Sequence, residues 1–242
     1  MNTIMTRAAR TFNQENVYRL LKTNIMNLSM APGNGLSEKD IADQLHVSRT
    51  PVREAFIRLS YEDLVEILPQ KGTYVSLIDI ELVNEARFLR ETMEIAVLRL
   101  ACSSFSEEYL FQLQACLALQ ELCIREHRYS DFFRHDSHMH SIIFAGCGKA
   151  RTWAVIQQMS THYDRVRLLN AAGGYELQEL LSQHRELVRA IKQQDAELAK
   201  QTLNVHLNKV TIDMRQLLRD FGHFFKQREA ELLEVESNQK GI

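Results

Sequence analysis

The segment from Leu36 to Val75 constrains this chain more than any other. Ser37 is a good N-cap for a short helix, SEKDIADQL, with Glu38 and Asp40 near its positive end. HVSRT then leads into a second short helix that reaches about Asp63. VEILPQKGTYVSL reads as two brief strands around a turn at Pro69, Gln70, Lys71 and Gly72. Ile41, Leu45 and Val47 line the first helix and the turn, and Val52, Ala55, Phe56 and Leu59 recur at helical spacing on the second. Ala42 is small enough to let the two helices cross closely. Helix, tight turn, helix and β-ribbon within about forty residues is the order of a winged helix-turn-helix.

The face turned away from that core carries the chemistry. Ser48 caps the second helix, and Pro51 sits in its first turn, where backbone N–H groups lack intrahelical partners anyway. Arg49 and Arg53 are i,i+4 neighbours and project together beside Thr50. An arginine there can fork onto guanine O6 and N7 in the major groove of double-stranded DNA. Lys39 can meet a phosphate, and Gln70, Lys71 and Gly72 form a wing tip able to reach the backbone or a minor groove. The plainer alternative, two solvated surface arginines, leaves the turn, the cap and the wing unexplained. The formal net charge of −2 does not decide the matter, because an acidic domain can cancel a basic face.

Around this segment the chain is ordered by its breakers. Residues 1–14 are polar and aperiodic, a flexible arm. A helix from Glu15 to about Met30, with Val17, Leu20, Leu21, Ile25 and Leu28 at helical spacing, ends at APGNG. The DNA-reading domain is therefore expected over 15–76. From Ile80 the pattern is helical almost throughout, with helices expected near 80–103, 106–126, 128–146, 150–172, 175–193 and 195–235. The fold class is mainly α, with a C-terminal all-α bundle of six to seven helices over 80–235. Nine Gly and three Pro suit long helices. No apolar run reaches a membrane span, and MNTIMTRAARTFNQ lacks the apolar core of a signal peptide, so a cytoplasmic protein is expected. Cys102, Cys116, Cys123 and Cys147 form no C-x-x-C pair and read as small buried hydrophobes.

LSEKDIADQLHVSRTPVREAFIRLSYEDLVEILPQKGTYV resembles the signature of the GntR superfamily of bacterial regulators, above all in VSRTPVREA. The resemblance covers residues 15–76. It implies Arg49 and Arg53 as the DNA-contacting pair, assisted by Thr50 and the wing near Gly72. His46 departs from it, standing where a small residue, often Gly, is usual. One short helix reads too few bases to select a genomic site, so two copies are expected to act together, as a homodimer on a palindromic operator.

The C-terminal half holds a spaced set of metal-ligating residue types. Asp136 and His140 are i,i+4 in HDSHMHSIIFAG, His184 lies in SQHRELVRAIKQQD, and His206 lies in LNVHLNKV. One carboxylate and three imidazoles from three helices suit a divalent transition metal. Spacing alone does not single them out among nine histidines; His135 and His138 turn away from the Asp136/His140 face and read as solvated or structural. FLRETMEIAVLRLA, then D-x-x-M-H, then QHRELVRAIKQQD, then His206-Leu207 resemble the FadR-type C-terminal (FCD) domain over about 80–215. In its metal-binding branch these four positions hold the ion, zinc foremost, with nickel or manganese as alternatives. The turn AGCGK departs from the small, Asn-containing turn of that family.

The resemblance also places Arg90 near the pocket, where it would clamp a small organic acid effector; Arg165 and Arg167 are further inward-facing candidates. The competing expectation for Arg90 is a buried ion pair with Glu91 or Glu94. The function implied is a ligand-responsive transcriptional repressor of a carboxylate or sugar-acid operon, not an enzyme. The alternatives are a metal-dependent hydrolase or lyase using the same Asp/His set, and a regulator whose metal is only structural. No H-E-x-x-H and no nucleophile motif supports the enzyme.

Overall fold

The computed structural model describes residues 14–172, 177–212 and 214–226, and the chain divides after Ser76 into two compact units. In the first, α1 (Gln14–Met26) buries Val17, Tyr18, Leu21 and Ile25 against α3 (Arg49–Ser60), which supplies Val52, Ala55, Phe56 and Leu59. Between them lies α2 (Glu38–Leu45), started by Ser37, whose Oγ accepts from Asp40 N–H at 3.2 Å. Ser48 also holds the extended N-cap backbone, but its side chain makes no capping bond. The ribbon is β2 (Val65–Leu68) paired antiparallel with β3 (Gly72–Val75), Val65 opposite Val75 and Leu68 opposite Gly72. A third strand, β1 (Gly35–Leu36), pairs with β3 on its other side; two residues are too few to show an alternation in sequence. Arg58 lays its guanidinium 3.7 Å from the Tyr18 ring centroid, and Tyr18 and Lys22 both donate to Glu62.

The turn between α2 and α3 explains why a small residue is favoured where His46 stands. His46 has φ 55° and ψ 44°, the left-handed region, and Val47 N–H donates to Ala42 O at 3.0 Å across it. A side chain there crowds its own backbone, which glycine avoids.

The second unit is helical. Asp79 caps α4 (Ile80–Ser103) by accepting from Glu81 and Leu82 N–H, and Ser106 caps α5 (Glu107–Arg125). α6 (Tyr129–Gly146), α7 (Ala150–Met159), α8 (Thr161–Ala172), α9 (Leu177–Gln193), α10 (Ala196–Ile212), α11 (Met214–Phe221) and a 3-10 turn (Gly222–Phe224) follow. Val97, Leu98, Leu113, Ile143, Leu187 and Leu203 are central to its core. The chain is mainly α with a small sheet, as the sequence predicts.

One segment that reads as a single helix is divided, and another gives way to a 3-10 turn. The expected helix 150–172 breaks at Ser160, whose hydroxyl donates to Ile156 O at 2.7 Å while its carbonyl accepts from Asp164 N–H to start α8. Apolar residues on both sides keep one helical period, so the break leaves no trace in the pattern. Of the expected helix 195–235 the structure describes α10 and α11, with residue 213 between them outside the described residues, and the 3-10 turn, after which Phe225 forms a parallel bridge with Ile78. Of the expected arm at 1–14, Gln14 instead begins α1, and residues 1–13, the Gly173-Gly174 break and the helix beyond residue 226 lie outside the described residues. The four cysteines are free thiols; Cys102, Cys116 and Cys123 are buried, and burial pushes the Cys116 thiol up to about 11. Among the described residues no helix is long and apolar enough to cross a membrane.

His46→Gly is expected to raise the stability of the first unit by roughly 0.5–1 kcal/mol, the left-handed strain relieved less the entropy that glycine adds to the unfolded chain. His46→Val is expected to lower it, a branched Cβ being worst at positive φ. Urea titrations of the two variants beside the parent check both signs.

Candidate metal centre

Four buried side chains meet inside the helical unit. Asp136 and His140 stand one turn apart on α6, between Phe132 and Ile143, which anchor that face in the core. α9 brings His184 between Leu181 and Leu187, and α10 brings His206 between Leu203 and Leu207. Each offers one ligand atom, and the four atoms lie within 4.8 Å of one another. The His184 and His206 rings are 4.7 Å apart between centroids, and His140 is 5.7 Å and 5.4 Å from them. His138, by contrast, is exposed, and His135 is only partly buried.

Each imidazole is oriented from behind. His140 Nδ1 lies 2.6 Å from Glu94 Oε2, His184 Nδ1 lies 2.7 Å from Gln120 Oε1, and His206 Nδ1 lies 3.2 Å from Gln183 Oε1. All three partners are oxygen acceptors, so Nδ1 carries the proton and donates. Nε2 is left as a bare lone pair, which is how a metal-ligating histidine is held. His140 Nε2, His184 Nε2 and both Asp136 oxygens are buried and make no hydrogen bond of acceptable geometry among the described residues, although His184 Nε2 is 3.0 Å from Asp136 Oδ1 and Oδ2 is ion-paired with Arg167. Buried polar atoms are nearly always partnered. A carboxylate oxygen and the His140 and His184 lone pairs left over at one point, with His206 within 4.8 Å, fit a divalent transition ion.

The protonation states agree. Burial alone would raise the Asp136 carboxyl, but the Arg167 guanidinium, with His184 and His140, outweighs it and holds Asp136 well below the usual range. Burial pushes His184 down despite Asp136, and burial with the neighbouring His184 and His140 pushes His206 well down. An anionic carboxylate beside neutral imidazoles is the state that binds metal.

The arginines divide differently from the sequence expectation. Arg90 forms the ion pair with Glu94 that one of its readings expects. Its Nε donates to Glu94 Oε1 at 2.8 Å, forming the buried ion pair, while its Nη2 stays buried without a partner among the described residues. Its guanidinium lies 5.6 Å from the Trp153 ring and 5.1 Å from the Tyr163 ring. Trp153 stacks on His140, and its buried Nε1–H likewise lacks an acceptor. Arg165 is buried but turns Nη2 to His162, 3.1 Å from Nδ1. Arg167 instead reaches the centre, pairing with Asp136 through Nη2 and with Asp164 through Nη1 at 3.2 Å.

Sequence reasoning names none of the glutamines behind the histidines and does not tie Glu94 to His140. Gln183 adjoins His184 and Glu94 follows Arg90 by one turn, so both could have been sought locally. Gln120 has no local mark, because only the packing of α5 on α9 brings it to His184.

In the other unit, Lys39, Ser48, Arg49, Thr50, Arg53, Gln70, Lys71 and Gly72 are all exposed. Neither Arg49 nor Arg53 has an ion-pair or hydrogen-bond partner among the described residues. Gln70 (φ 63°) and Gly72 (φ 115°) turn the wing tip, which Tyr74 braces by donating to Lys71 O at 2.8 Å.

A helix-turn-helix head with unencumbered arginines, next in sequence to a helical unit with a buried polar centre, defines a transcriptional regulator. Residues 13–75 match the family described as bacterial regulatory proteins, gntR family, and residues 85–209 match the FCD domain. The chain belongs to the GntR family of regulators, with an FCD domain. It is 33% identical over 217 residues to the HTH-type transcriptional repressor RspR of Escherichia coli K12, covering 89% of this chain and 94% of that one. It is 31% identical over 205 residues to an HTH-type transcriptional regulator in the unstable DNA locus of Streptomyces ambofaciens, covering 85% and 86%. The fold is similar to that of E. coli McbR/YncC, with TM-score 0.72 at 21% identity over 84% of this chain and 97% of the other.

Arg167→Ala strips the cation from a fully buried carboxylate. In chelator-treated protein it is expected to destabilise the helical unit by about 3–5 kcal/mol, more than the loss of an exposed pair such as Arg185–Glu121. Thermal melting of the two variants checks the difference.

Proposed function

We propose that this regulator is a repressor that reads a palindromic operator as a homodimer and responds to a small carboxylate, of the sugar-acid type, at a metal-centred pocket in its FCD domain. The observation that carries the effector reading is a pair of buried donors without acceptors, Arg90 Nη2 and Trp153 Nε1, beside the Asp136, His140, His184 and His206 cluster. Asp136, His140, His184 and His206 would hold a divalent transition ion, zinc by preference for this ligand set, and the bound ion would supply an open coordination position for a carboxylate or hydroxy-acid oxygen. Arg90 would bind the far end of the anion, its Nε kept on Glu94 and its remaining arm presented to the ligand. Glu94 fixes both Arg90 and the His140 ring, and so orients the cation and one metal ligand together.

The hydrolase or lyase reading has no support. Burial would raise Glu94, but Arg90 and His140 hold it at about 2, far too acidic for a general base at neutral pH. A purely structural metal would leave the two unpartnered donors without a purpose.

On DNA, Arg49 and Arg53 would read base edges from the start of α3, with Thr50, Ser48, Lys39 and the wing residues Gln70, Lys71 and Gly72 on the backbone. Arg53→Ala is expected to cost roughly 1–3 kcal/mol of specific binding and to relax preference at one base position per half-site. Lys71→Ala is expected to weaken binding evenly across sequences and to reduce its salt dependence. Operator titrations at several salt concentrations separate the two, and wild-type affinity in Arg53→Ala removes α3 as the reading helix.

His184→Ala is expected to lower bound metal and to blunt the effector response more than it weakens operator binding without effector. Mass-spectrometric metal content, with operator binding across a panel of sugar acids before and after chelation, tests this. Full metal occupancy with an intact response in the variant overturns the site.

A further inference from the structure

The residues that lead out of the DNA-reading unit are gripped by two elements far away in sequence. Ser76 ends that unit, and residues 77–79 run on to α4. Ile78 N–H donates to Phe224 O at 2.8 Å, and Lys226 N–H donates back to Ile78 O at 3.0 Å, around the parallel Ile78–Phe225 bridge. Lys226 Nζ also pairs with Asp79 Oδ2 at 2.8 Å. Next, Asp79 N–H donates to His162 Nδ1 at 3.0 Å. His162 is the second residue of α8 and is buried. Its Nδ1 is therefore the acceptor nitrogen, and Arg165 Nη2 approaches the same atom at 3.1 Å.

The same helix carries the one cation paired with the metal centre's carboxylate among the described residues. Arg167 stands five residues beyond His162 and spans Asp136 on α6 and Asp164 on its own helix. α8 is only 12 residues long, about three turns, and so moves as a rigid body. One end of its polar contacts holds the linker and the other holds Asp136. Arg167 holds Asp136 Oδ2, and a divalent cation on the other oxygen would share the same single negative charge, so the two positive groups repel with little screening and the Arg167 pair weakens.

We propose that α8 is a latch: it fastens residues 77–79 through His162, it is fastened to the metal centre through the Arg167–Asp136 pair, and a divalent cation at Asp136 loosens it. This rests on the reading of Asp136, His140, His184 and His206 as a metal site. The linker then reports the state of the centre to the DNA-reading unit by becoming freer when the centre is filled. A cation acts here because it has different interactions with the latched and loosened states, which is what coupling requires.

Amide hydrogen exchange of the full chain tests this, first stripped by chelator and then with Zn2+ alone. The Asp79 amide is expected to exchange on the order of tenfold faster with Zn2+, the size of an ordinary coupling between sites, while core amides of α6, α9 and α10 slow. The opposite signs separate a released latch from general tightening. Arg167→Lys keeps the positive charge, but one ammonium cannot span two carboxylates, so Asp79 is expected to exchange fast already without Zn2+. His162→Phe removes the acceptor at the other end, and Zn2+ is then expected to leave Asp79 exchange unaltered. A Zn2+-loaded parent in which Asp79 slows with the core, or does not change, overturns the latch, as does a parent-like Zn2+ response in either variant. Zinc content of the same samples tells the two readings apart. If the parent takes up zinc and Asp79 is silent, only the latch falls; if it takes up none, the metal site and the latch fall together.

Discussion

The helical unit is organised around one buried carboxylate. Asp136 is fully enclosed, and a carboxylate in such surroundings must be neutralised or paired. Arg167 pairs with it, His184 adjoins it, and His140 shares its helix face. Each of those groups is then fixed by another: Arg167 by Asp164, His184 by Gln120, and His140 by Glu94, which in turn holds Arg90. α4, α5, α6, α8, α9 and α10 therefore contribute to a single polar network inside an apolar bundle. A half-satisfied network of this kind is costly, and the atoms it leaves over are consequently informative. Among them are lone pairs of Asp136, His140 and His184 that converge at one point, and Arg90 Nη2 and Trp153 Nε1 beside it.

The DNA-reading unit follows the opposite logic. Its ion pairs, Arg58 with Glu15 and Lys22 with Glu62, join α1 to the C-terminal part of α3 and to the residues just after it, clear of the reading face. Arg49 and Arg53, at the start of α3, have no such partner among the described residues and stay available to an anionic ligand. The fold uses its internal pairing for orientation and leaves the start of α3 open. The left-handed His46 serves the same end, since the tight turn sets how α2 presents α3.

Much of this was legible in the chain. The apolar period from Val52 to Leu59, the Ser37 cap and the Gln70–Gly72 turn depend on residues within a few positions of one another, so local chemistry was enough to place them. Asp136 and His140 were likewise paired by helical geometry alone. The Ser160 break was not legible, because the apolar stripe continues across it and only its hydroxyl and carbonyl bonds show the helix ending. The two-residue strand Gly35–Leu36 exists only because β3 offers an edge to pair with.

By itself the sequence determined a helix-turn-helix head ahead of a helical remainder, the exposed arginines of α3 and the four residue types suited to a metal, because each is carried by spacing along one helix or by a compact motif. Only the tertiary structure decided that His184 and His206 meet Asp136 and His140, that Gln120, Gln183 and Glu94 fix the three rings, and that Arg167 rather than Arg165 reaches the carboxylate. Arg165 and Arg167 are two residues apart and point about 200° around the helix from each other, so although both are buried, which one meets Asp136 depends on how α8 is rolled against α4 and α6. That roll is set by packing between elements distant in sequence, where the local pattern carries no information.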